Sequence, residues 1–549
     1  VGKVHPPPGD RRDRAQVPRS RRYSGVRYSG VASYVQGASG EASEETSVDR
    51  VDRVEEAWRR ERPDIDVSSV GIVSRVWRIG RHLQRQRKER LEALGTDTVT
   101  LDVLAMLRRW ETSGCEPHSL VIVRHGHVVA QGWWAPYRPE HQQLLYSVSK
   151  TFLAVAVALA EDDGLLGRGE RLVDVFPEAA ATAGPRASEI TVEDCLRMST
   201  GHHEDTLDTV PGLLGSGDGA AALFLAAEPE HEPGSWFVYH NGASLMLALA
   251  VQRRTGQRLL HYLRPRLLEP LGITSASWRS AAGGDLGFSG LHTTTDAVAR
   301  LGVLLLNDGV WQGTRLLPSG WVGTASSALS NTAHHPGTPD WQQGYGYQLW
   351  QSRHDGFRAD GAYGQFSLIH PRHDLVVAVT ACTDDAQPIL EAVWEEMIPA
   401  LTDTPSPADP EAVHELSQAL DTAVLPAVGS TCEPAVPGPW VFTHEPTPEH
   451  PRLTRVEVRP HENSWLLVVD DGEPLPITCG DGRWPDAAGA PFVAAGGWVS
   501  PDVFEATIVA VQTPHSLHLH CTDGVASARW RGYPLHGPCL SWQREPDGD

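Results

Sequence analysis

The pattern of apolar residues changes near residue 403. Residues 97–402 alternate β-rich runs with helical stretches, whereas only short, turn-separated β segments follow from residue 436 to 549. The intervening stretch 403–435 is rich in Pro, Asp, Ala and Ser around one short helical pattern at 410–421, which is typical of a linker. The sequence therefore predicts an α/β (α+β) domain followed by an all-β domain, an antiparallel sandwich or barrel.

The first 96 residues differ from both of these units. Residues 1–48 are rich in Arg, Gly, Ser and Pro and poor in large apolar residues, which predicts a disordered basic tail. Residues 49–96 show helical spacing and predict a helical extension. Together with 101–109, they resemble the opening helices of MarR-type winged-helix regulators, a resemblance that implies a possible homodimer through these helices. No recognition helix or wing follows Arg109, so we interpret the segment as a truncated remnant of such a regulator.

Charge and composition limit the possible partners and compartments. The chain has 549 residues and a net charge of −22; the first 100 residues carry 20 Lys+Arg and 15 Asp+Glu, and the rest carry 27 and 54. An acidic bulk makes nucleic-acid binding an unlikely main function. The chain shows no apolar run of about 18 residues, no N-terminal apolar signal region and no Cys-x-x-Cys pair. We expect a cytoplasmic protein without a membrane partner.

The strongest chemical signal is Ser-x-x-Lys at 147–150, placed just before an apolar helical run. This spacing puts Ser147 and Lys150 on one face of the first helical turn, where the helix N-terminus favours a developing anion. A desolvated lysine can have a lowered pKa and take the serine proton. The motif alone is common, and its alternative reading is a capping serine beside a solvated lysine. Ser149 competes for the capping position, so this motif alone does not fix Ser147 as the nucleophile.

Two later motifs add groups suited to acyl transfer. Tyr239 and Asn241 follow a Pro-Gly turn, where a phenol can shuttle a proton and an amide can bind a substrate carbonyl. Glycines in 344–350 and 360–367 lie beside predicted strands and could offer backbone N–H groups to an oxyanion. A buried tyrosine and a plain β-turn are the alternative readings of these two motifs.

The three motifs in this order resemble the serine β-lactamase and penicillin-binding-protein-like hydrolases. The similarity is to the branch with class C β-lactamases, D-amino-acid peptidases, family VIII-type esterases and 6-aminohexanoate-dimer hydrolases. It covers about 97–402 and implies an antiparallel sheet flanked by helices, with a helical subdomain.

The resemblance also implies a role for each matching residue. It makes Ser147 the acyl-forming nucleophile, Lys150 its base partner, Tyr239 a proton donor or acceptor and Asn241 a substrate contact. The oxyanion would be held by the backbone N–H groups of Ser147 and Gln365. The substrate-binding third motif of the family, Lys/His-Thr-Gly, becomes Ala362, Tyr363 and Gly364 here. The cation of that motif is missing, which favours an esterase or amidase on less anionic substrates over an efficient β-lactamase.

We therefore expect a serine hydrolase acting through an acyl-enzyme on a small ester, amide or peptide-like substrate, with no cofactor and no metal. The adjacent histidines 202 and 203 lack the spacing of a helical zinc site. Two alternatives remain open. One is a catalytically silent, penicillin-binding-like protein that binds a ligand, and the other is a regulator fusion with DNA-binding ancestry.

Overall fold

The structure, a computed structural model, describes residues 99–281, 283–401, 410–486 and 489–546. The predicted tail 1–48 and helical extension 49–96 lie outside the described residues. The helices are α1 (Val99–Thr112), α2 (Ser149–Asp162), α3 (Leu172–Val175), α4 (Val192–Leu196), α5 (Thr206–Thr209), α6 (Ala220–Ala226), α7 (Asn241–Thr255), α8 (Leu259–Leu263), α9 (Thr295–Leu306), α10 (Trp321–Ala325), α11 (Gln387–Ala392) and α12 (Pro410–Asp421). Helix α12 is the helix that the sequence predicts inside the 403–435 stretch.

The strands before α12 are β1 (Pro117–Arg124), β2 (His127–Trp133), β3 (Gln143–Leu144), β4 (Ala276–Trp278), β5 (Ser280–Ala281), β6 (Gly284–Asp285), β7 (Leu291–Thr293), β8 (Val310–Trp311), β9 (Thr314–Arg315), β10 (Trp350–Gln351), β11 (Phe357–Gly361), β12 (Gln365–His370) and β13 (Leu375–Ala381). The strands after it are β14 (Trp440–Thr443), β15 (Leu453–His461), β16 (Ser464–Asp471), β17 (Pro474–Gly480), β18 (Phe492–Ser500), β19 (Val503–Ala510), β20 (Ser516–Thr522) and β21 (Val525–Arg531).

A six-stranded antiparallel sheet in the order β10-β11-β12-β13-β1-β2 forms the centre of the first domain. Strands β1 and β13 are buried on both faces, because α9 covers one face and α1 and α11 cover the other. Apolar side chains therefore run continuously along these central strands instead of alternating with polar ones. The β-rich runs 119–124 and 127–133, separated by the two residues 125–126, predict a hairpin, and β1 and β2 confirm it.

Helix α1 corrects part of the regulator interpretation. Met106 and Trp110 are fully buried against the sheet, and Trp110 Nε1 donates a hydrogen bond to Ile389 O at 3.3 Å. Arg109, on the outer side of this helix, forms an ion pair with Glu395 at 2.6 Å. Residues 101–109 are thus part of the core of the first domain rather than of a regulator remnant.

The sequence of 344–350 predicts a strand, and this prediction is wrong. The segment 344–350 is irregular up to β10, which begins only at Trp350. Gly344 and Gln348 have positive φ values of 117° and 54°, which are incompatible with an extended strand. Gly346 also approaches the end of α10 so closely that a Cβ there would lie 1.9 Å from Ala325 O. Close packing of this segment on α10 therefore holds it in an irregular conformation instead of an extended strand.

The second domain is a closed eight-stranded barrel, β14 to β21 in chain order. It confirms the predicted all-β class, although two strand pairs, β17–β18 and β14–β21, are parallel rather than antiparallel. The sequence predicts strands at 453–459, 464–469, 503–513, 516–521 and 526–531, and it misses β14, β17 and β18. Strand β17 contains Pro474 and Pro476, and β18 contains Gly496 and Gly497, residue types that weaken a strand prediction. No helix in the described ranges is long and apolar enough to cross a bilayer.

Candidate active site

Ser147 and Lys150 meet where the chain enters α2. Residues Tyr146–Val148 form a single 3-10 turn that leads directly into the helix, and Lys150 Nζ lies 2.9 Å from Ser147 Oγ. Ser149 does not cap the helix: it is buried, and its Oγ accepts a hydrogen bond from Leu291 N at 3.1 Å. Ser147 is partly exposed, so it is the serine of this motif that a substrate can reach.

The environment of Lys150 favours a neutral amine. Burial lowers the pKa of Lys150 to about 7, although the carboxylates of Asp205 and Asp360 partly oppose this effect. Its Nζ also contacts Asn241 Oδ1 and Phe288 O, each at 2.7 Å. Both oxygens can only accept hydrogen bonds, so they take the two N–H groups of a neutral amine. The remaining position of Nζ faces Ser147 Oγ, to which the ammonium form donates a hydrogen bond.

Asp205 fixes the orientation of Asn241. Its carboxylate accepts hydrogen bonds from Asn241 N at 2.9 Å, Asn241 Nδ2 at 2.8 Å and Gly242 N at 2.9 Å, at the start of α7. Because Nδ2 is held by Asp205, Oδ1 faces Lys150. The string His202-His203-Glu204-Asp205 has side chains of the metal-binding type, and its sequence alone suggests no catalytic role for Asp205. An Asp immediately before a helix is a typical N-cap residue, and this is the sequence signal that could have drawn attention to Asp205. It does cap α5, because its side chain accepts a hydrogen bond from Leu207 N at 3.0 Å.

Tyr239 completes the cluster from the side opposite α2. Its ring stacks on Trp350, with centroids 5.5 Å apart, and Lys150 Nζ lies 5.0 Å from the Tyr239 ring centroid. Burial raises the pKa of Tyr239 above its ordinary value, and the nearby Ser147 side chain opposes this shift in part. The phenol therefore keeps its proton near neutral pH and can act as a donor.

His240 lies between Tyr239 and Asn241 in sequence but points away from the cluster. Its Nε2 accepts a hydrogen bond from Thr206 N at 3.0 Å, so its Nδ1 carries the proton and donates to Thr200 Oγ1, also at 3.0 Å. Burial lowers the pKa of His240 to about 3, so the ring is neutral. It holds the loop that carries Asp205.

The third motif is placed differently from the first two. Ala362, Tyr363 and Gly364 form the turn between β11 and β12, with Gly361 and Gln365 paired at its base. The residue that approaches the nucleophile is Gly361, where a Cβ would lie 2.4 Å from Leu145 O and 3.3 Å from Ser147 N.

The rest of the turn faces other neighbours. A Cβ on Gly364 would instead meet Ile389 at 2.6 Å, and the Tyr363 ring faces Tyr146 with centroids 5.6 Å apart. The side chain of Gln365 is buried, and its Nε2 donates to Ala381 O at 2.6 Å. Sequence reasoning did not single out Gly361, although the same string contains it.

Comparison with known proteins identifies the family of the first domain. The sequence matches the beta-lactamase family over residues 108–397, which is more than half of the chain. The chain belongs to the beta-lactamase family. It is 25% identical over 309 residues to the 6-aminohexanoate-dimer hydrolase of Paenarthrobacter ureafaciens, covering 52% of this chain and 76% of that protein.

Solved structures of similar proteins include a putative 6-aminohexanoate-dimer hydrolase from Bacillus anthracis, with 19% identity, a TM-score of 0.43 and coverage of 56% of this chain and 81% of that one. They also include a penicillin-binding protein homologue from Caulobacter crescentus, with 19% identity, a TM-score of 0.44 and coverage of 54% of this chain and 97% of that one.

In this beta-lactamase-family domain, the cation missing from the third motif is not replaced by the arginine on β11. Arg358 is fully buried, and its Nε donates to Asp360 Oδ2 at 2.8 Å. Its guanidinium also lies 4.6 Å from the Trp341 ring centroid and donates to Ser352 Oγ at 2.8 Å. The Nε and Nη1 groups of Arg358 are taken by such contacts, and its Nη2 is buried without a hydrogen-bond partner among the described residues, so the guanidinium is enclosed rather than presented to a substrate carboxylate.

Proposed function

We propose that this beta-lactamase-family hydrolase forms an acyl-enzyme at Ser147 and cleaves small esters or amides that carry little negative charge. The observation that carries the proposal is the buried amine of Lys150. Its two N–H groups are taken by Asn241 Oδ1 and Phe288 O, and its remaining position is 2.9 Å from Ser147 Oγ. A lysine in this state is a base directed at one hydroxyl.

The first half of the reaction then follows from the positions of these groups. Ser147 Oγ attacks the substrate carbonyl carbon as its proton passes to Lys150 Nζ, and the carbonyl electron pair moves onto oxygen. Backbone N–H groups hold that oxyanion. One is the amide of Ser147 and the other comes from the 361–365 hairpin, where Gln365 is the expected donor and the close approach of Gly361 supports the placement.

Collapse of the tetrahedral intermediate breaks the bond to the leaving group. The leaving oxygen or nitrogen takes the proton of the Tyr239 hydroxyl, which regains one from the Lys150 ammonium. Water then repeats the sequence on the acyl-enzyme, with Lys150 accepting its proton and Ser147 leaving as the alcohol. The opposite pKa shifts of Lys150 and Tyr239 support a lysine base and a tyrosine acid.

The charges around the site support a substrate without a carboxylate near the scissile bond. Asp360 lies close enough to Lys150 and Tyr239 to influence both pKa values, and Arg358 is already paired with it. A carboxylate placed beside Asp360 would meet repulsion without a compensating free cation. A neutral ester or amide avoids this penalty.

The test is the intact mass of the folded protein after exposure to a fluorophosphonate probe, with peptide mapping of any adduct. We expect one adduct on Ser147, no adduct in Ser147→Ala, and a retained adduct in the matched control Ser149→Ala. Hydrolysis of neutral esters and amides should follow the same pattern. A folded wild-type protein that binds ester or amide ligands but forms no adduct would overturn the proposal in favour of a silent binding protein, the reading that the missing third-motif cation supports.

A further inference from the structure

The barrel contacts the active-site region through two loops, residues 511–515 between β19 and β20 and residues 532–537 after β21. Residues 532–537 follow β21 and lie against the first domain near Ser147. Gly532 fits there with a φ of 62°, and a Cβ on it would lie 2.6 Å from Cys382 Sγ. The next residue, Tyr533, accepts a hydrogen bond through its backbone oxygen from the Tyr363 hydroxyl. The third-motif turn is thus bound to the barrel.

A second set of contacts reaches the residue before the nucleophile. Tyr146 is buried and has a φ of 48°, a left-handed conformation that a tyrosine adopts only when its surroundings hold it there. Its hydroxyl lies 2.5 Å from His515 Nε2 and accepts from Leu535 N at 3.4 Å. His515 Nδ1 donates to Gly532 O at 2.7 Å, so its Nε2 is free to accept the Tyr146 proton.

Protonation of His515 would break this chain of hydrogen bonds, because Nε2 would become a donor. Burial lowers the pKa of His515 to about 3, so the ring stays neutral over the working range of an enzyme near neutral pH. The turn that carries Ser147 is therefore tied to the barrel by Tyr146, His515 and the backbone of the 532–537 loop.

A third contact joins the barrel to the segment that binds the amine of Lys150. His536 Nε2 lies 2.9 Å from Ser289 Oγ, and the preceding residue, Phe288, supplies the backbone oxygen that accepts from Lys150 Nζ. Burial lowers the pKa of His536 to about 3, so its ring is neutral at this contact. The first domain adds its own restraint here, because Trp278 Nε1 donates to Ser289 O at 2.8 Å.

We propose that His515 and His536 of the barrel are positioning residues of the active site, so that the hydrolase domain reaches its full rate only with the 532–537 loop docked. His515 acts through Tyr146 on the turn that carries Ser147, and His536 acts through Ser289 on the carbonyl that orients Lys150. This inference rests on the proposed function for its catalytic consequence, whereas the docking itself can be measured without any activity.

The kinetic test is a double-mutant cycle on His536 and Ser289, with p-nitrophenyl butyrate as substrate. We expect His536→Ala and Ser289→Ala each to lower kcat by about ten- to a hundred-fold with little change in KM, since displacement of a catalytic group by about 1 Å has an effect of this size. The double variant should be no slower than the slower single variant. His536→Gln, which keeps a polar group near the position of Nε2, should recover part of the rate.

The matched control is His520→Ala. His520 is an exposed barrel histidine whose ring contacts Glu505 on the neighbouring strand, and it should keep the wild-type rate. Additive losses in the His536–Ser289 cycle, or a wild-type rate in His536→Ala, would overturn the inference.

A second readout separates this inference from the proposed function. Hydrogen–deuterium exchange should rise in peptides covering 144–152 in His515→Ala and 286–292 in His536→Ala, and stay unchanged in His520→Ala. If wild-type protein forms no adduct on Ser147, the proposed function fails, and exchange alone decides whether the barrel holds these segments. Unchanged exchange in both variants would overturn the positioning role.

Discussion

The hydrolase domain and the barrel both bury polar side chains, but they use them differently. In the hydrolase domain, Lys150 contacts Ser147 and Asp205 orients Asn241 beside it; burial lowers the pKa of Lys150, and the charge of Asp205 partly opposes this effect. In the barrel, the interior is apolar, and the buried His515 lies at the end that faces the hydrolase domain. If both proposals hold, the first domain supplies the chemistry and the second supplies the geometry.

This comparison separates two kinds of variant. A substitution among the groups that converge on Ser147 should change the pH dependence or the leaving-group dependence of the reaction. A substitution in the barrel contacts should lower the rate without changing either dependence. The predictions below test that separation.

The largest effect is expected for Lys150→Ala, which should lower kcat/KM by about 10²–10⁴-fold, the range for general acid–base groups. Because burial lowers the pKa of Lys150 to about 7, the wild-type rate should rise as the pH increases through about 7, where the amine loses its proton. The variant should lose this rise. The measurement is a pH–rate profile for a neutral ester. If Lys150→Ala keeps the inflection near pH 7, that inflection belongs to a group other than Lys150.

Tyr239→Phe should have a smaller effect that depends on the leaving group. An amide nitrogen needs a proton to leave, so we expect a loss of about 10²-fold for amides. A p-nitrophenolate ion leaves without protonation, so the matching ester should lose much less. Comparison of kcat/KM for an amide and a p-nitrophenyl ester of the same acyl group measures the difference. Equal losses of kcat/KM on both substrates would contradict the role of Tyr239 as the acid that protonates the leaving group.

Asp205→Asn tests the orientation of Asn241. The new amide group would place N–H donors against the donors of Asn241 and Gly242, which now bind the carboxylate. With Asn241 released, Oδ1 would no longer be held towards Lys150, and we expect kcat to fall by about 10–100-fold. Glu204→Gln, at the exposed preceding residue, is the matched control and should keep the wild-type rate. An active Asp205→Asn variant would show that Asn241 is held in place without the carboxylate.

The sequence indicated the fold class and the cluster Ser147, Lys150, Tyr239 and Asn241 because these residues stand in short local motifs. Asp205 and Gly361 were not singled out, because their importance comes from contacts with residues that are distant in sequence. Asp205 accepts a hydrogen bond from the backbone N–H of Asn241, 36 residues later at the start of α7. Gly361 lies against the turn that carries Ser147. The segment 344–350 failed as a strand for the same reason, since contact with α10 decides its conformation.

The barrel contacts were equally hidden from the sequence. His515 and His536 stand in turns of a domain with no catalytic motif, and nothing in their local sequence points to residues more than 200 positions earlier. Their partners become visible only once the two domains are folded against each other. Periodicity reports which face of an element is buried, but not which other domain covers it.

The smallest effect is expected for Tyr146→Phe, which keeps the ring and removes the hydroxyl. His515 Nε2 and Leu535 N would lose their partner. The free energy of unfolding should therefore fall by about 1–3 kcal/mol, measured by urea denaturation. The rate should fall only several-fold, and the inflection of the pH–rate profile near 7 should stay in place, because no charge near Lys150 changes. A shifted inflection would mean that this contact acts on the base itself, and the division between a chemical and a geometric domain would no longer hold.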